Sequence, residues 1–346
     1  MELKTFQICM GKVMNIDYEM EQRFGPKDIV LPGDGIRYAL PTPGVTAQIK
    51  LKLGQYPHFK FSAVRYDFEP GAEFDLSATL LAGRMLYCLE GSGDIVLNEE
   101  LRPFPEGTFV HLGEGHHASI RNSGDVLLQV FSFVFGPGAE ALEDLLVKDG
   151  GGLPRLSLSA EQIGAFGLLS LEDARQVPDS LKGELVYQLQ GEGPSFWQAR
   201  PSAGFVEVKL APFTANVHHY GVLMQTLFPG SAVREHAHNQ LNEFFVISKG
   251  TALAALDGDE AVCPKGTVIV IGRNVFHRWG NIGEGDAQNF AIIDPPGVEG
   301  ALALTGRLRK KGEAWPSDIV RSAETGKILH DRYGFVIHGN AADSIR

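Results

Sequence analysis

The chain has 346 residues, 44% apolar and 21% charged, the make-up of a soluble globular protein with room for two ordinary domains. Its net charge of −11 excludes a general nucleic-acid binder, which needs a basic face. No apolar run is long enough to span a bilayer, and no basic region followed by an apolar core marks a signal peptide at the N-terminus.

Residues 1–60 read as an N-terminal arm. They hold a short helix over Ile16–Gly25, closed by glycine, and turns at Pro32-Gly-Asp-Gly-Ile36 and Leu40-Pro-Thr-Pro-Gly44. The arm lacks a full strand set and is expected to pack on a barrel. Residues 61–136 read as strands and turns, beginning with Lys60–Phe68 and the turn Glu69-Pro-Gly71. Residues 137–204 form a linker. Ala139–Lys148 has helical leucine spacing and stops at Asp149-Gly-Gly-Gly152, and Ser159–Phe166 is a short capped helix. Trp197 and then Phe205–Leu210 reopen a strand pattern that continues over residues 205–295. Residues 296–346 form a tail, with a helix begun near Pro316 and an extra strand over His330–His338. That strand is expected to cap a barrel mouth or to reach a neighbouring subunit. Cys9, Cys88 and Cys263 are widely spaced with no Cys-x-x-Cys, which suits small core residues in a reducing cytoplasm.

The two strand-rich stretches are copies of one frame. Shifted by 159 residues, Pro70-Gly71 falls on Pro229-Gly230, Gly91 on Gly250 and Gly107-Thr108 on Gly266-Thr267. Gly113 falls on Gly272, Asn122 on Asn281 and Gly124 on Gly283, with no gap from residue 70 to 131. A frame of this length implies the same fold twice.

The second copy carries candidate metal ligands. In a strand, His236 and His238 share a face, with Cα atoms about 6.5–7 Å apart, so both imidazoles can reach one ion at about 2.0–2.2 Å. Asn239–Asn242 reads as a turn that returns the chain with Glu243, Phe245 and Ile247 inward. Val268–Ile271 is a buried strand, Gly272-Arg-Asn274 a turn, and His277 and Asn281 share parity on the next strand. Three nitrogens and one carboxylate suit Fe, Mn, Ni, Cu or Zn better than Mg or Ca.

Gly230-x5-His236-x-His238-x4-Glu243-x6-Gly250 and Gly266-x5-Gly272-x-Asn274-x2-His277-x3-Asn281 resemble the two motifs of the cupin superfamily. The second departs from the pattern at Gly272, where proline is usual, and at Asn274, where glycine is. Both replacements suit turns. The resemblance implies an all-β bicupin: two tandem jelly-roll β-barrels, with short helices in the linker and tail. It assigns the metal to His236, His238, Glu243 and His277. In the first copy these positions are Ser77, Thr79, Arg84 and Ala118, so the barrel over 61–136 is expected to be metal-free, with His116 and His117 as loop residues. Asp75 and Arg84 are expected to pair with each other; the alternative is that Arg84 binds a small carboxylate.

Strand parity places Gln225, Leu227, Arg234, Phe245, Ile247, Trp279 and Phe290 inside the second barrel, a mostly apolar small-molecule cavity. Gln225 and Arg234 are the candidates for orienting substrate. The ligand set leaves one or two positions open on a five- or six-coordinate ion. In the family it serves dioxygenases, decarboxylases, isomerases, lyases and non-catalytic proteins, so fold and ligands do not fix the reaction. The leading expectation is an Fe(II)-dependent dioxygenase that uses O₂ on a small aromatic or enol-type substrate chelating the ion. The alternatives are a non-redox isomerase, lyase or hydrolase of sugar or keto acids, and a metal-assisted binding protein. A homo-oligomer is expected, with neither nucleic acid nor membrane as partner.

Overall fold

The computed structural model describes residues 25–40, 42–56, 58–76, 83–135, 146–147, 155–156, 171–310 and 312–337. The chain divides into two compact units. One is Pro32–Gly193 with Pro212–Val217; the other is Met1–Leu31, Pro194–Ala211 and His218–Arg346.

Strands β1 (Lys27–Val30), β2 (Arg37–Ala39), β3 (Val45–Leu51), β4 (Phe61–Phe68), β5 (Glu73–Asp75) and β6 (Arg84–Glu90) come first. Next are β7 (Ser92–Leu97), β8 (Glu100–Pro105), β9 (Phe109–Leu112), β10 (Ala118–Arg121) and β11 (Leu128–Phe135). The linker holds β12 (Leu146–Val147), β13 (Arg155–Leu156), helix α1 (Leu171–Gln176) and β14 (Leu185–Gln188). The first unit is a jelly roll of two sheets, β12-β13-β2-β3-β4-β11-β6-β9-β14 and β5-β10-β7-β8. Leu86, Cys88, Val110, Val130, Ile95 and Ile120 from the two sheets meet in its core.

The second jelly roll uses β15 (Ser195–Gln198), β16 (Gly204–Leu210), β17 (Gly221–Leu227), β18 (Ala237–His238), β19 (Asn242–Lys249) and β20 (Thr251–Leu256). It continues with β21 (Asp259–Pro264), β22 (Val268–Ile271), β23 (His277–Asn281) and β24 (Ala287–Asp294). Helix α2 (Val298–Thr305), β25 (Arg307–Leu308), helix α3 (Ala323–Tyr333) and β26 (Phe335–Val336) follow. The large sheet runs β1-β22-β19-β24-β17-β16-β15-β25, and β21-β20-β23 forms the second sheet. Ile247, Ala252, Ile269 and Trp279 join the two in one core. No helix among the described residues is long and apolar enough to cross a membrane.

The expected repeat is present down to single hydrogen bonds. Asn122 Nδ2 donates to the Phe68 and Val126 carbonyls, and its Oδ1 accepts from Gly124 N–H. Asn281 does the same with Leu227, Gly285 and Gly283. Thr108 Oγ1 donates to Pro105 O and Thr267 Oγ1 to Pro264 O. Asn274 adopts φ +63°, the left-handed conformation that its counterpart Gly115 takes at +78°, so asparagine serves where glycine is usual.

The arm and the linker differ from their sequence reading. β2 and β3 are integral strands of the first sheet, although they precede residue 61, and β1 joins the second unit. There β1 covers β22 antiparallel, from Lys27 opposite Ile271 to Val30 opposite Val268. The linker strand β14 covers β9 in the first unit in the same way. The junctions match: Gly272 N–H donates to Pro26 O and Gly25 N–H to Arg273 O, as Gly113 N–H does to Glu184 O and Gly183 N–H to Glu114 O. A side chain at 272 would lie 2.5 Å from Pro26 and 2.6 Å from the Gly25 backbone, which explains why this turn carries glycine in place of the usual proline. Both additions satisfy a sheet edge that would otherwise expose its backbone.

Within the expected helix over 139–148, Leu146–Val147 is instead a strand pairing with Arg155–Leu156. The remaining residues of that helix, residues 16–24 of the expected Ile16–Gly25 helix, and the expected Ser159–Phe166 helix lie outside the described residues. In the tail, no helix starts at Pro316. Helix α3 begins after Ser322, whose Oγ accepts from Thr325 N–H, and ends at Gly334 in the left-handed conformation. His330–Tyr333 therefore belongs to α3, and only Phe335–Val336 is strand. Cys88 and Cys263 are buried, and burial pushes the Cys263 thiol up to about 11; Cys9 lies outside the described residues.

Candidate metal centre

His236, His238, Glu243 and His277 converge, with their candidate ligand atoms all within 4.8 Å of one another. Each comes from a different point of the barrel. His236 forms an isolated bridge with His277, its N–H donating to His277 O at 3.0 Å while His277 N–H donates back at 2.8 Å. His238 lies in β18, and its carbonyl accepts from Asn274 N–H at 2.8 Å. Glu243 is the second residue of β19 and is registered between Ile271 and Ile293. His277 opens β23.

Hydrogen bonds set which nitrogen faces the centre. His236 Nδ1 lies 2.8 Å from Arg234 O and His277 Nδ1 lies 3.0 Å from Val275 O. Each Nδ1 therefore carries the proton and donates, which turns a bare Nε2 lone pair inward. Glu243 Oε2 stands 2.9 Å from His277 Nε2 and 3.5 Å from His238 Nε2. Yet Glu243 Oε2, His277 Nε2 and both ring nitrogens of His238 are buried without a hydrogen bond. Leaving such groups unmatched costs about 1–3 kcal/mol each. One divalent ion would satisfy Glu243 Oε2, His277 Nε2 and one His238 nitrogen together, so the donor set fits a metal. Burial, reinforced by the neighbouring His277, holds the His236 and His238 pKa values well below the usual imidazole range. Both rings are neutral at neutral pH, the form that ligates.

His236 and Glu243 open onto a cavity of about 90 Å³, lined also by Ser202, Leu223, Gln225, Arg234 and Arg321. A water needs about 10–15 Å³ on this measure, so the space suits a small organic molecule. The expected inward residues divide. Gln225 faces the cavity, and its Oε1 accepts from Trp279 Nε1 at 3.1 Å. Arg234 lines it as well. Leu227, Phe245, Ile247 and Trp279 belong to the barrel core. Phe290 does not: it is registered with Met224 and Val246, on the face of the sheet opposite Gln225, and Asn289 takes the inward position.

The tail supplies two groups that strand parity could not reveal. β26 pairs with β18, placing Phe335 opposite His238. The Phe335 ring stacks on His236 at 5.2 Å and meets His238 edge-on at 4.4 Å. Arg321, just before α3, lines the cavity together with Ser322, Gly326 and Leu329. The sequence signal was the Ser322 cap followed by Gly334, which delimits α3 and so fixes what precedes and follows it.

In the first barrel, Ala118 and Arg84 occupy two of the ligand positions; Ser77 and Thr79 lie outside the described residues. The expected Asp75–Arg84 pair is not formed. Arg84, 3% exposed, donates from Nη1 to Ser132 Oγ at 2.9 Å. Asp75, on a half-exposed strand, instead meets His117 Nε2 at 2.8 Å. His116 and His117 are loop residues but buried, and His116 Nε2 reaches Gly183 O at 2.9 Å.

The chain thus holds two jelly rolls, the second with a three-histidine, one-glutamate cluster, as the repeated sequence frame implied. Residues 223–293, within the second barrel, match the family described as Cupin domain. No curated protein matches the sequence closely enough to count as a relative. Among solved structures, protein Ylba from E. coli is 12% identical, covering 78% of this chain and 91% of its own, with a TM-score of 0.53. Oxalate decarboxylase from Bacillus subtilis, studied for its Mn(II) centres, is 17% identical over 80% of this chain and 79% of its own, at 0.51. The coconut allergen cocosin is 14% identical over 94% and 96%, at 0.55. At these identities the likeness is one of fold.

Proposed function

We propose that the second barrel is the active site of a metal-dependent enzyme, with His236, His238, Glu243 and His277 as ligands and Gln225 and Arg234 orienting the substrate. The observation that carries this reading is the set of buried, unbonded ligand atoms opening onto an apolar cavity. A metal ion bound there supplies Lewis acidity and, as Fe(II), activation of O₂. The chain's own residues do the rest. Arg234 and Val275 carbonyls hold the imidazoles of His236 and His277 in the ligating tautomer. Trp279 fixes the Gln225 amide, and Phe335 shields two imidazoles from water. Within this reading, Fe(II)-dependent dioxygenation of a small oxygen-chelating substrate is the reaction we propose, because the cavity walls are largely apolar.

Metal analysis of protein purified without added ions, followed by O₂ uptake with catechols, hydroquinones, diketones and flavonols, tests it. We expect about one metal per chain and uptake by the iron form. An iron form inert to all four classes sinks the dioxygenase assignment. The two arginines in the cavity favour a second reading, non-redox chemistry on an acid. That reading expects Zn or Mn to restore turnover without oxygen. Tight binding without turnover under either condition identifies a metal-assisted binding protein. Light scattering after size exclusion tests the proposed homo-oligomer.

A further inference from the structure

Arg234 and Arg321 face the same cavity, and Arg234 is close enough for its charge to act on Arg321. Neither forms an ion pair among the described residues, and Arg321 Nε is buried without a hydrogen-bond partner. Three other arginines of this unit are ion-paired, Arg278 with Glu260, Arg307 with Asp318 and Arg309 with Glu207, and Arg200 and Arg332 lie over the rings of Trp315 and Tyr333. The carboxylate among the lining residues, Glu243, is turned to His238 and His277. Two guanidinium groups without a carboxylate partner on one largely apolar cavity repel each other, and Arg321 Nε has lost its solvation without a replacement. Burial, with Arg234 nearby, lowers the Arg321 pKa only to about 10, so Arg321 stays charged at neutral pH.

We propose that these two arginines form a carboxylate clamp, and that the ligand of this cavity is a small carboxylic acid whose remaining oxygens face the metal ligands. The inference rests on the reading of the second barrel as a small-molecule site and names its substrate class. A guanidinium matches a carboxylate with two parallel hydrogen bonds. The walls made by Leu223, Val298, Leu329 and Phe335 suit a short carbon skeleton. Ser322 and the start of α3 line the same cavity, where the positive end of the helix dipole adds to the field. The clamp has one jaw on the barrel, at Arg234, and one on the tail, at Arg321. Sequence parity could propose only the first.

Calorimetry on the full-length, metal-loaded protein tests this with pyruvate, benzoate and salicylate as probes. Their neutral amides and inorganic phosphate serve as comparisons. At least one acid should bind, its amide should not, and Arg321→Met and Arg234→Met should each weaken binding about 10- to 100-fold. Arg321→Lys should keep part of the affinity. Metal content and thermal midpoint of each variant, measured in parallel, separate a lost clamp from a lost fold. No binding by any acid, or binding indifferent to both arginines, overturns the clamp. Phosphate binding more tightly than every acid overturns the carboxylate assignment. Full metal content alongside either result leaves the metal-site reading standing, whereas wild-type protein that takes up no metal fails that reading first.

Discussion

Asn122 and Asn281 make the same three hydrogen bonds at the same place in the two barrels, while Arg84 and Glu243, also at one shared place, have nothing in common. The asparagines bond backbone, so they are indifferent to what fills the barrel. Arg84 bonds Ser132 on the neighbouring strand, and Glu243 approaches two imidazoles. Ala118 replaces His277 with a methyl group that packs into the first core. The lesson is that the frame and the interior are separable. A jelly roll is specified by its turns and its backbone-bonding amides, and its centre can hold a ligand cluster or an ordinary core.

Four measurements break or sharpen that separation. The largest effect is expected from Glu243→Arg, which gives the second barrel the residue of the first. Bound metal should fall from about one per chain to less than a tenth, because a cation replaces the anionic ligand. Elemental analysis reads it, and undiminished metal would remove Glu243 from the ligand set. Next come Asn122→Ala and Asn281→Ala. Each should cost about 3–4 kcal/mol of unfolding free energy, since each strands two carbonyls and an amide. A large difference between the two would show that the frame is not held equally in both halves.

A third test concerns the first barrel alone. Burial lowers the His111 pKa to about 4, with His116 nearby adding to the shift. The unfolded chain takes up the proton first, near pH 6.5, so stability present above that pH is lost as it falls toward 4. The loss approaches about 3 kcal/mol. Denaturant unfolding between pH 7 and 4 should show this slope flattened in His111→Gln. The smallest effect is expected from Phe335→Ala. Removing the ring over His236 and His238 should weaken metal affinity about two- to ten-fold. A competitive chelator titration reads the change, and an unchanged affinity limits Phe335 to packing.

Much of this arrangement was legible in the residues. Period-two parity brought His236, His238 and Glu243 together, and the glycine and asparagine frame gave the duplicated fold. Phe290 was misplaced for a physical reason. β24 is buried on both faces for seven of its eight residues, so no polar face marks which parity is inward. The Asp75–Arg84 pair failed because opposite charges at aligned positions do not supply contact: β5 is a half-exposed edge strand whose carboxylate found His117. Arg321 and Phe335 were legible only in part: the Ser322 cap and Gly334 delimit α3, but where the tail docks depends on β26 pairing with β18, a contact between segments about a hundred residues apart that local patterning does not encode.

The covering strand β1 has a consequence for how the protein is made. It is translated before every other described strand, yet its partner β22 is translated more than two hundred residues later. Until then Lys27–Val30 has to wait, unzipped, while the barrel that contains β2 to β11 takes shape. The half that carries the imidazole cluster is thus finished by the oldest stretch of the described chain, and an N-terminal truncation past Val30 should handicap the distant C-terminal barrel and spare the neighbouring one.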